Sequence, residues 1–472
     1  MKDRDSIDRG AEKKGLAGIL DSIEGDKVIW IVALLLIVIS VLLIFSSTPM
    51  LSEKSRIEIM KDHGMIALAG LGLIIFLYKV ITKIGIYRFF SQFGFIVSLI
   101  LLIILDGHGK CDIGPFKAQY INGAWRTLDV FGLQLHVFEV VKVAMVMYLA
   151  WGLHALKTDR EAMENNEESP TLSIANNLSK HKHFGFMKTL FAKRVFYLYI
   201  PILLVSGLVL IGSNSSGIFI GAILIGILLL GEVPLKEMLA AGGALLLVIG
   251  GCFIIYKLSD GKYMDRMETF EKRLTRKMDI SVLDKFEDRN SEEFYQALGP
   301  FRQPYGARIA VHEGKLIGKH FGNSTQKYSV THIYSDYMFS FIIEEMGLIG
   351  GIFIMFLYLS LIARCSTIIS LCRNEFAKVA IGGLAFLITG QAFLHILVNS
   401  GVIPLTGQTL PLLSDGATAF LSSCLAFGII LSISRMVNKK MKQVEEAQYS
   451  DTYQIQARIS QLEKIDDETH LQ

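Results

Sequence analysis

Three ionisable residues lie inside one apolar stretch of this 472-residue chain, at 131–155. His136, Glu139 and Lys142 are spaced three residues apart, which places them on one side of a helix. A carboxylate beside an ammonium could bind a charged substrate or move a proton, and ionisable residues inside membrane helices are usually functional. The alternative is a structural ion pair that only lowers the cost of inserting the helix.

A second group of polar residues leads into the apolar segment 335–363. The loop Gly322–Gln326 precedes Asp336, and Glu344 and Glu345 follow within the segment. Asp336 could cap the start of a helix, where a carboxylate meets free N–H groups. The two glutamates could mark the far membrane interface. Carboxylates kept inside the membrane would instead indicate a functional site.

The region from Asn399 to Pro411 carries two prolines and two glycines in an otherwise apolar sequence. Irregular backbone at membrane depth is tolerated only where it is buried in protein or lines a wet cavity. We therefore predict a broken or re-entrant segment that lines a site, with an exposed turn as the alternative.

The segment 259–334 is long, polar and rich in charge. Residues 264–295 resemble a charged amphipathic helix with a flexible centre, whereas residues 301–334 are rich in Gly, Tyr and His and show little helical period. The aspartates of the segment, including Asp279 and Asp288, lie among cations such as Arg266 and Arg273. A carboxylate among fixed cations suits transfer of a group away from a phosphate leaving group, because the acid takes a proton and the cations neutralise developing charge. A charged helix that is merely solvated is the alternative.

The composition indicates an integral membrane protein, since 51% of residues are hydrophobic and only 19% are charged. A net charge of +3 gives no reason to expect nucleic acid as a partner, and the five cysteines form no CxxC pair. Membrane helices need roughly 20 apolar residues each. Such segments predict an all-α polytopic fold with about ten transmembrane helices, at 28–47, 64–82, 86–105, 131–155, 196–212, 215–231, 237–258, 335–363, 376–399 and 414–435.

The distribution of Lys and Arg among the short loops predicts that both termini are cytoplasmic. We divide the chain into a cytoplasmic N-terminal segment at 1–27, a membrane domain at 28–435 and a cytoplasmic tail at 436–472. With this topology, residues 259–334 form a large extracytoplasmic loop between the seventh and eighth helices.

Three motifs resemble the SEDS family (shape, elongation, division and sporulation), which includes FtsW, RodA and SpoVE. The resemblance covers about 120–435. The Gly-Asn-Ser-Thr-Gln sequence is most similar to that of the FtsW branch, and the loop resembles the loops of Bacteroidetes-type members. The matching residues are Gly322–Gln326 with Tyr334–Asp336 and Glu344–Gly350, then Gly401–Pro411, and finally Asn122–Ala124 with Arg126, Glu139 and Lys142.

The resemblance implies a peptidoglycan glycosyltransferase that polymerises lipid II during cell division in the bacterial cytoplasmic membrane. The 4-hydroxyl of one lipid-linked disaccharide would attack the anomeric carbon of another, and undecaprenyl pyrophosphate would leave. The implied partners are lipid II, a class B penicillin-binding protein and other division proteins. A divalent cation, Mg²⁺ or Mn²⁺, is the implied cofactor.

The resemblance assigns catalysis to Glu139, Lys142 and one loop aspartate. Counting forward from Arg266 favours Asp279, whereas counting back from Gln303 leads nearest to Asp288, so both stay candidates. Substrate binding is assigned to Arg266, Arg273, Asn323, Ser324, Gln326, Asp336, Thr406 and Gly407. In this interpretation the Gly322–Gln326 motif and Asp336 support the active site rather than form its chemical centre.

Two motifs depart from the family pattern. His136–Glu139 replaces the usual Gln-Pro-Ser-Glu, and Ser414–Thr418 reads Ser-Asp-Gly-Ala-Thr where the family has Ser-x-Gly-Gly-Ser or Thr. A weakened or inactive paralogue is therefore an open alternative. A lipid II flippase and a non-catalytic division scaffold are the other two functions that we consider.

Overall fold

The computed structural model describes residues 24–47, 55–106, 116–121, 124–130, 133–165, 171–258, 271, 286, 288, 291–293 and 298–469. Within these residues, ten helices are long and apolar enough to cross a membrane, which confirms the predicted all-α polytopic fold. The helices are α1 Lys27–Ser47, α2 Arg56–Val80, α3 Ile84–Asp106, α4 Val137–Glu164, α5 Ser173–Leu178, α6 Leu190–Gly212, α7 Asn214–Ile227, α8 Leu235–Leu258, α9 Arg302–Gly314, α10 Met338–Leu371, α11 Glu375–Asn399 and α12 Ala417–Thr469.

Helices α4, α11 and α12 form the centre of the bundle, because most of each span is buried, whereas most of α2, α3 and α8 faces outwards. Helix α4 packs against α3 and α11, α10 packs against α11, and α2 packs against α12. Polar side chains on the inner faces of α4 and α11 are therefore held among protein atoms rather than lipid, where only specific partners can compensate their burial.

A three-stranded antiparallel sheet precedes α4, formed by β1 Phe116–Ile121, β2 Ala124–Val130 and β3 Leu133–His136. The prediction that the fourth helix begins at 131 was therefore wrong, since α4 begins at Val137 and His136 is its N-cap residue. Apolar and polar residues alternate through β3, which is the period of a strand. His136 thus lies outside the helical face that carries Glu139 and Lys142.

Helix α10 is interrupted at Gly347, whose backbone has φ 71° and ψ −178°. The break leaves main-chain groups of α10 unpaired within the helix, and the preceding loop pairs with them on both sides. Lys319 and His320 donate their N–H groups to the carbonyls of Glu344 and Glu345, at 2.8 and 2.9 Å. The N–H groups beyond the break donate in turn to the loop, Leu348 to Lys315 and Ile349 to Leu316. The loop and the kink are consequently one structural unit.

One further element differs from expectation. Residues 301–334 were expected to show little helical order, but Arg302–Gly314 form α9. The boundary expected at residue 435 lies within α12, which runs from Ala417 to Thr469, and it stays a prediction because a helix can continue beyond the membrane. The amphipathic helix expected at 264–295 lies almost entirely outside the described residues.

Candidate active site

Lys142 is the centre of a buried polar cluster between α4, α11 and the segment that joins α11 to α12. Its side chain is 3% exposed. The ammonium Nζ donates to Glu139 Oε1 at 2.7 Å, to Gln391 Oε1 at 2.7 Å and to Gln408 Oε1 at 3.3 Å. Glu139 and Lys142 lie one turn apart on α4, so the helix itself brings the carboxylate to the ammonium. All three N–H groups of the ammonium have acceptors.

The two carboxamides at Lys142 are themselves held in place. Gln391 Nε2 donates to the carbonyl and hydroxyl oxygens of Thr409, at 2.9 and 3.2 Å. Gln408 Nε2 donates to Ser216 Oγ at 2.8 Å. Because each NH₂ group has a partner on the far side, each amide oxygen is directed at Lys142. The charged pair therefore sits in an environment whose dipoles are already oriented.

The segment between α11 and α12 has no regular secondary structure and lines this cluster. Gly407, with φ 68°, is exposed, and the next residue, Gln408, is buried against Lys142. Tyr358 Oη donates to the carbonyl of Pro411 at 2.6 Å, which fixes the other end of the segment. Thr406 Oγ1 is buried and has no hydrogen-bond partner among the described residues. The segment thus passes from an exposed residue, Gly407, to a contact with the ammonium, Gln408, in consecutive residues.

Glu344 binds the polar loop before α10 rather than facing a cavity. It is fully buried, and Oε2 accepts from Ser324 Oγ at 2.5 Å. Its Oε1 accepts from the N–H groups of Thr325 and Gln326 at 2.8 and 3.2 Å, and from Lys319 Nζ at 3.1 Å. The carboxylate therefore organises the loop through charge-assisted hydrogen bonds.

Glu345 connects the same loop to α1. Its Oε1 accepts from Ser46 Oγ at 2.6 Å and from the N–H of Gly322 at 3.1 Å. Lys327, 1% exposed, donates to the carbonyls of Ser46 and Gly322 at 3.3 and 2.6 Å. Both glutamates are therefore buried attachment points for the loop, and neither side chain faces solvent.

The other residues predicted to bind substrate in this region lie around the attached loop. Asn323 is exposed, and its Nδ2 donates to the carbonyl of Lys319 at 2.9 Å. Ser324 uses its hydroxyl on Glu344, and Gln326 is half-buried beside Gly306 of α9. Asp336 is half-buried, and its carbonyl accepts from Asn399 Nδ2 at 3.2 Å. Asn323 is the one among these whose side chain the structure leaves mostly open to solvent.

Tyr334 and Asp415 hold the C-terminal end of the loop before α10 against the start of α12. The N–H of Asp415 donates to the carbonyl of Tyr334 at 2.9 Å. Burial raises the pKa of the Tyr334 hydroxyl, and the carboxylates of Asp415 and Asp336 raise it further. Asp415 Oδ1 also lies 3.7 Å from Nδ1 of the buried His63 on α2. The altered Ser-Asp-Gly-Ala-Thr motif is thus part of a compact, charged junction.

The structure brings Glu139 and Lys142 together with two carboxamides, but it leaves the loop acid unassigned. Asp279, Arg266 and Arg273 lie outside the described residues. Asp288 is exposed, and its carbonyl accepts from the N–H and Oγ of Ser291, at 3.4 and 2.9 Å. The assignment of the base therefore stays a prediction.

Sequence reasoning missed Gln391, Gln408 and His395, although a signal was available. Gln391 and His395 are four residues apart in a predicted apolar helix, and polar residues at that spacing share one face. His395 Nδ1 lies 2.7 Å from the carbonyl of Gln408. Gln408 could have been noticed as an amide within the irregular segment that was predicted to line a site.

Comparison with known proteins identifies relatives of the whole membrane domain. The FtsW/RodA/SpoVE family model, described as cell cycle protein, matches residues 26–439. The probable peptidoglycan glycosyltransferase FtsW of Enterococcus hirae is 27% identical over 394 residues, covering 80% of this chain and 83% of that protein. The protein of the same name from Coxiella burnetii is 26% identical over 368 residues, covering 75% and 80%.

Solved structures share the fold at low sequence identity. The rod shape determining protein RodA of Thermus thermophilus has a TM-score of 0.52 and 16% identity, with 88% of this chain and 98% of that chain covered. A chain from a peptidoglycan synthase complex, described as coordinating polymerization and crosslinking, has a TM-score of 0.54 and 17% identity, covering 87% and 98%. With its membrane domain matched from residue 26 to 439, the protein belongs to the FtsW/RodA/SpoVE family, and its relatives place it on the FtsW branch.

Proposed function

We propose that the protein is a peptidoglycan glycosyltransferase that polymerises lipid II during cell division. The observation that carries the proposal is the Glu139–Lys142 pair, buried where α4 meets an irregular segment that includes the exposed Gly407. Its relatives' names as probable peptidoglycan glycosyltransferases support the same activity. A buried ammonium with fixed partners can stabilise negative charge without reorganising, which is the main demand of this reaction.

The reaction joins the 4-hydroxyl oxygen of an acceptor sugar to the anomeric carbon of a donor. The bond from that carbon to the pyrophosphate oxygen breaks, and the hydroxyl proton passes to a base. We assign the base to Asp279 or Asp288 of the loop. Lys142, oriented by Glu139, offsets the charge that develops on the departing pyrophosphate, and Arg266 and Arg273 add positive charge from the loop.

The remaining predicted substrate contacts divide by what their side chains already bind. Thr406, Gly407 and Asn323 are proposed to contact the substrate directly, since Asn323 and Gly407 are exposed and Thr406 Oγ1 has no described partner. Ser324, Gln326 and Asp336 are proposed to act by holding the loop. In this arrangement Glu344 and Glu345 position the element that carries the base.

A divalent cation is a further part of the proposal. Among the described residues there is no group of three or more His, Cys, Asp or Glu side chains that could hold a metal ion. Mg²⁺ commonly binds through one or two carboxylates together with substrate phosphates, so a dedicated cluster is not required. Whichever of Asp279 and Asp288 is not the base is the carboxylate proposed to hold the ion, which would neutralise the pyrophosphate.

The proposed setting is the bacterial cytoplasmic membrane, with both termini in the cytoplasm and the loop outside. The Lys and Arg distribution supports this topology. A class B penicillin-binding protein is the proposed partner, supported by the shared fold with a chain of a peptidoglycan synthase complex. It would crosslink the strand that this protein makes, beside other division proteins.

The test is polymerisation of lipid II by the purified full-length protein with its penicillin-binding partner. We expect glycan strands from the wild type and loss of product from Asp279→Ala or Asp288→Ala, whichever is the base. Glu292→Ala, at an exposed acid of the same loop, is the matched control. Equal activity in both aspartate variants and their double would refute the base assignment.

Two other results would replace the proposed function. Translocation of lipid II across vesicles without polymer would favour a flippase. Division supported in cells by a variant lacking every loop carboxylate would favour a non-catalytic scaffold.

A further inference from the structure

Gln408 is a buried amide on an otherwise irregular segment, and its side chain is 4% exposed. Its oxygen accepts from Lys142 Nζ and its nitrogen donates to Ser216 Oγ. Its carbonyl accepts from His395 Nδ1. One residue therefore joins α4, the start of α7 and α11 at the point where the segment passes Lys142.

Gln408 differs from the other two acceptors of the Lys142 ammonium in its distance and in the element that carries it. Glu139 and Gln391 accept two of the three ammonium N–H groups at 2.7 Å, and both acceptors are side chains of membrane helices. Gln408 accepts the third at 3.3 Å, the longest of the three, and it alone lies on the irregular segment. The third N–H is thus directed at the element that leads through Gly407 to the exposed surface.

We propose that Gln408 is a positioning residue that aims the third N–H of Lys142 and yields it to a phosphate oxygen of the lipid-linked donor. The inference rests on the proposed glycosyltransferase function and extends it. A neutral amide suits this role because Glu139 already balances the charge of Lys142. A second carboxylate at residue 408 would repel the pyrophosphate, and an apolar side chain would leave a buried N–H without an acceptor.

Ser216 fixes the orientation on which this role depends. Its hydroxyl accepts from Gln408 Nε2 and also from Ser213 Oγ, at 2.8 and 2.9 Å. Without the Ser216 hydroxyl, the amide of Gln408 can rotate so that its NH₂ group faces the ammonium of Lys142. Two hydrogen-bond donors would then face each other. Among the described residues, Ser216 makes no hydrogen bond to Glu139 or Lys142, and its hydrogen-bonded connection to the ammonium runs through Gln408.

The test measures kcat and KM for lipid II polymerisation by the full-length protein with its penicillin-binding partner. We expect Gln408→Leu to lower kcat by about 10- to 100-fold, the effect of one hydrogen bond to a charged group, with little change in KM. Gln408→Glu keeps the acceptor but adds charge, so KM should rise. Ser216→Ala should lower kcat less than Gln408→Leu does. Gln92→Leu, at an exposed glutamine on α3, is the matched control and should leave both constants unchanged.

Wild-type kcat in Gln408→Leu would overturn the inference while leaving the proposed function intact. If that variant does not fold, wild-type kcat in Ser216→Ala overturns it. If the wild type makes no polymer, the proposed function fails. The coupling between Gln408 and Lys142 is then measured by the unfolding temperatures of Gln408→Leu, Lys142→Met and the double variant. Non-additive shifts are expected for residues in contact, and additive shifts would overturn the positioning role.

Discussion

The N–H of Phe339 donates to His395 Nε2 at 3.3 Å, so the ring of His395 accepts on one side and must donate on the other. Its Nδ1 therefore carries the proton and donates to the carbonyl of Gln408 at 2.7 Å. One turn further along α11, Asn399 Oδ1 accepts from the N–H of Ser340 at 3.0 Å. Helix α11 thus caps the start of α10, whose first N–H groups have no partner within the helix.

His395→Leu should destabilise the protein because it leaves the Phe339 N–H and the Gln408 carbonyl buried without partners. The expected cost is about 1–3 kcal/mol for each group. Thermal unfolding in detergent measures it. Leu397→Ala, at an exposed position of the same helix, should have little effect. Equal unfolding temperatures for His395→Leu and the wild type would contradict this account of the cap.

Lys142→Met should abolish polymerisation, with a loss of at least about 100-fold, because in the proposed mechanism this ammonium offsets the charge on the departing pyrophosphate. It also leaves Glu139, 17% exposed, without its cation. Adding Glu139→Gln should therefore restore stability without restoring activity. Product gels and unfolding curves separate the two effects, with Lys188→Met at an exposed lysine as the control. Activity retained in Lys142→Met would remove the residue from the mechanism.

Glu344→Leu should detach the loop before α10. The change leaves Lys319 and the N–H groups of Thr325 and Gln326 without their acceptor, at a cost of about 3–5 kcal/mol. We expect faster trypsin cleavage within 315–327 and loss of polymerisation while the membrane helices persist. Glu292→Leu, at an exposed acid, should be cleaved as the wild type is. An unchanged cleavage pattern in Glu344→Leu would show that the carboxylate does not hold the loop.

Gly347→Ala should be strongly destabilising for two reasons. The combination of φ 71° and ψ −178° is adopted almost only by glycine and costs a residue with a side chain about 1–3 kcal/mol. The added Cβ would also overlap the carbonyl oxygen of Leu316. Gly72→Ala in α2 provides the opposite case, since no atom lies within 4 Å of its Cβ position, and it should be neutral or stabilising. The measurement is the unfolding temperature of each variant. Similar shifts for Gly347→Ala and Gly72→Ala would contradict the close approach of main chains at the kink.

The Glu313–Lys319 ion pair should make attachment of the loop pH-dependent. The hydrogen bond from Lys319 lowers the pKa of Glu313 from its usual 4.5. Burial acts to lower the pKa of Lys319, but its hydrogen bonds to Glu313 and Glu344 outweigh this and raise it above 10.5. The contribution of Glu313 is present above pH 4.5 and is lost as pH falls through its folded pKa. That of Lys319 is present below pH 10.5 and is lost as pH rises through its folded pKa.

Protection of residues 313–325 against hydrogen exchange, corrected for intrinsic rates, should therefore be constant near neutral pH and fall on acidification below about pH 4.5. In Lys319→Met this dependence should be reduced. Lys315→Met, at an exposed lysine in the same loop, should behave as the wild type. An acid response that is the same in all three proteins would exclude the pair as its cause.

The membrane helices could be predicted because length and apolarity alone determine them: α1 was expected at 28–47 and lies at Lys27–Ser47. The start of α4 could not, because β3 has only four residues and is followed directly by the apolar sequence of the helix. There the alternation of apolar and polar residues before Val137 was the only sign of a strand. Helix α9 was missed because its stability comes from packing against α10 rather than from a strong helical pattern.

The charged pair of the candidate site was predictable, but its environment was not. Glu139 and Lys142 are neighbours in sequence, and their helical spacing is enough to bring them together. Gln391 and Gln408 reach the same ammonium from 249 and 266 residues away, a relationship that spacing cannot reveal. Likewise, Glu344 and Glu345 could be recognised as unusual, but their partners depend on a kink that a single glycine permits.

The kink at Gly347 also limits how this chain can be recombined with its relatives. A Cβ on Gly314 would overlap the carbonyl of Ile343, and one on Gly318 would overlap that of Glu345. Together with Gly347, these glycines allow the main chains of the loop and of α10 to cross in direct contact. A chimera that exchanges the loop before α10 but divides this crossing would combine two backbones that were not shaped for each other. Residues 314–350 therefore form the smallest cassette that can be exchanged intact, and the junctions of any such hybrid belong outside it.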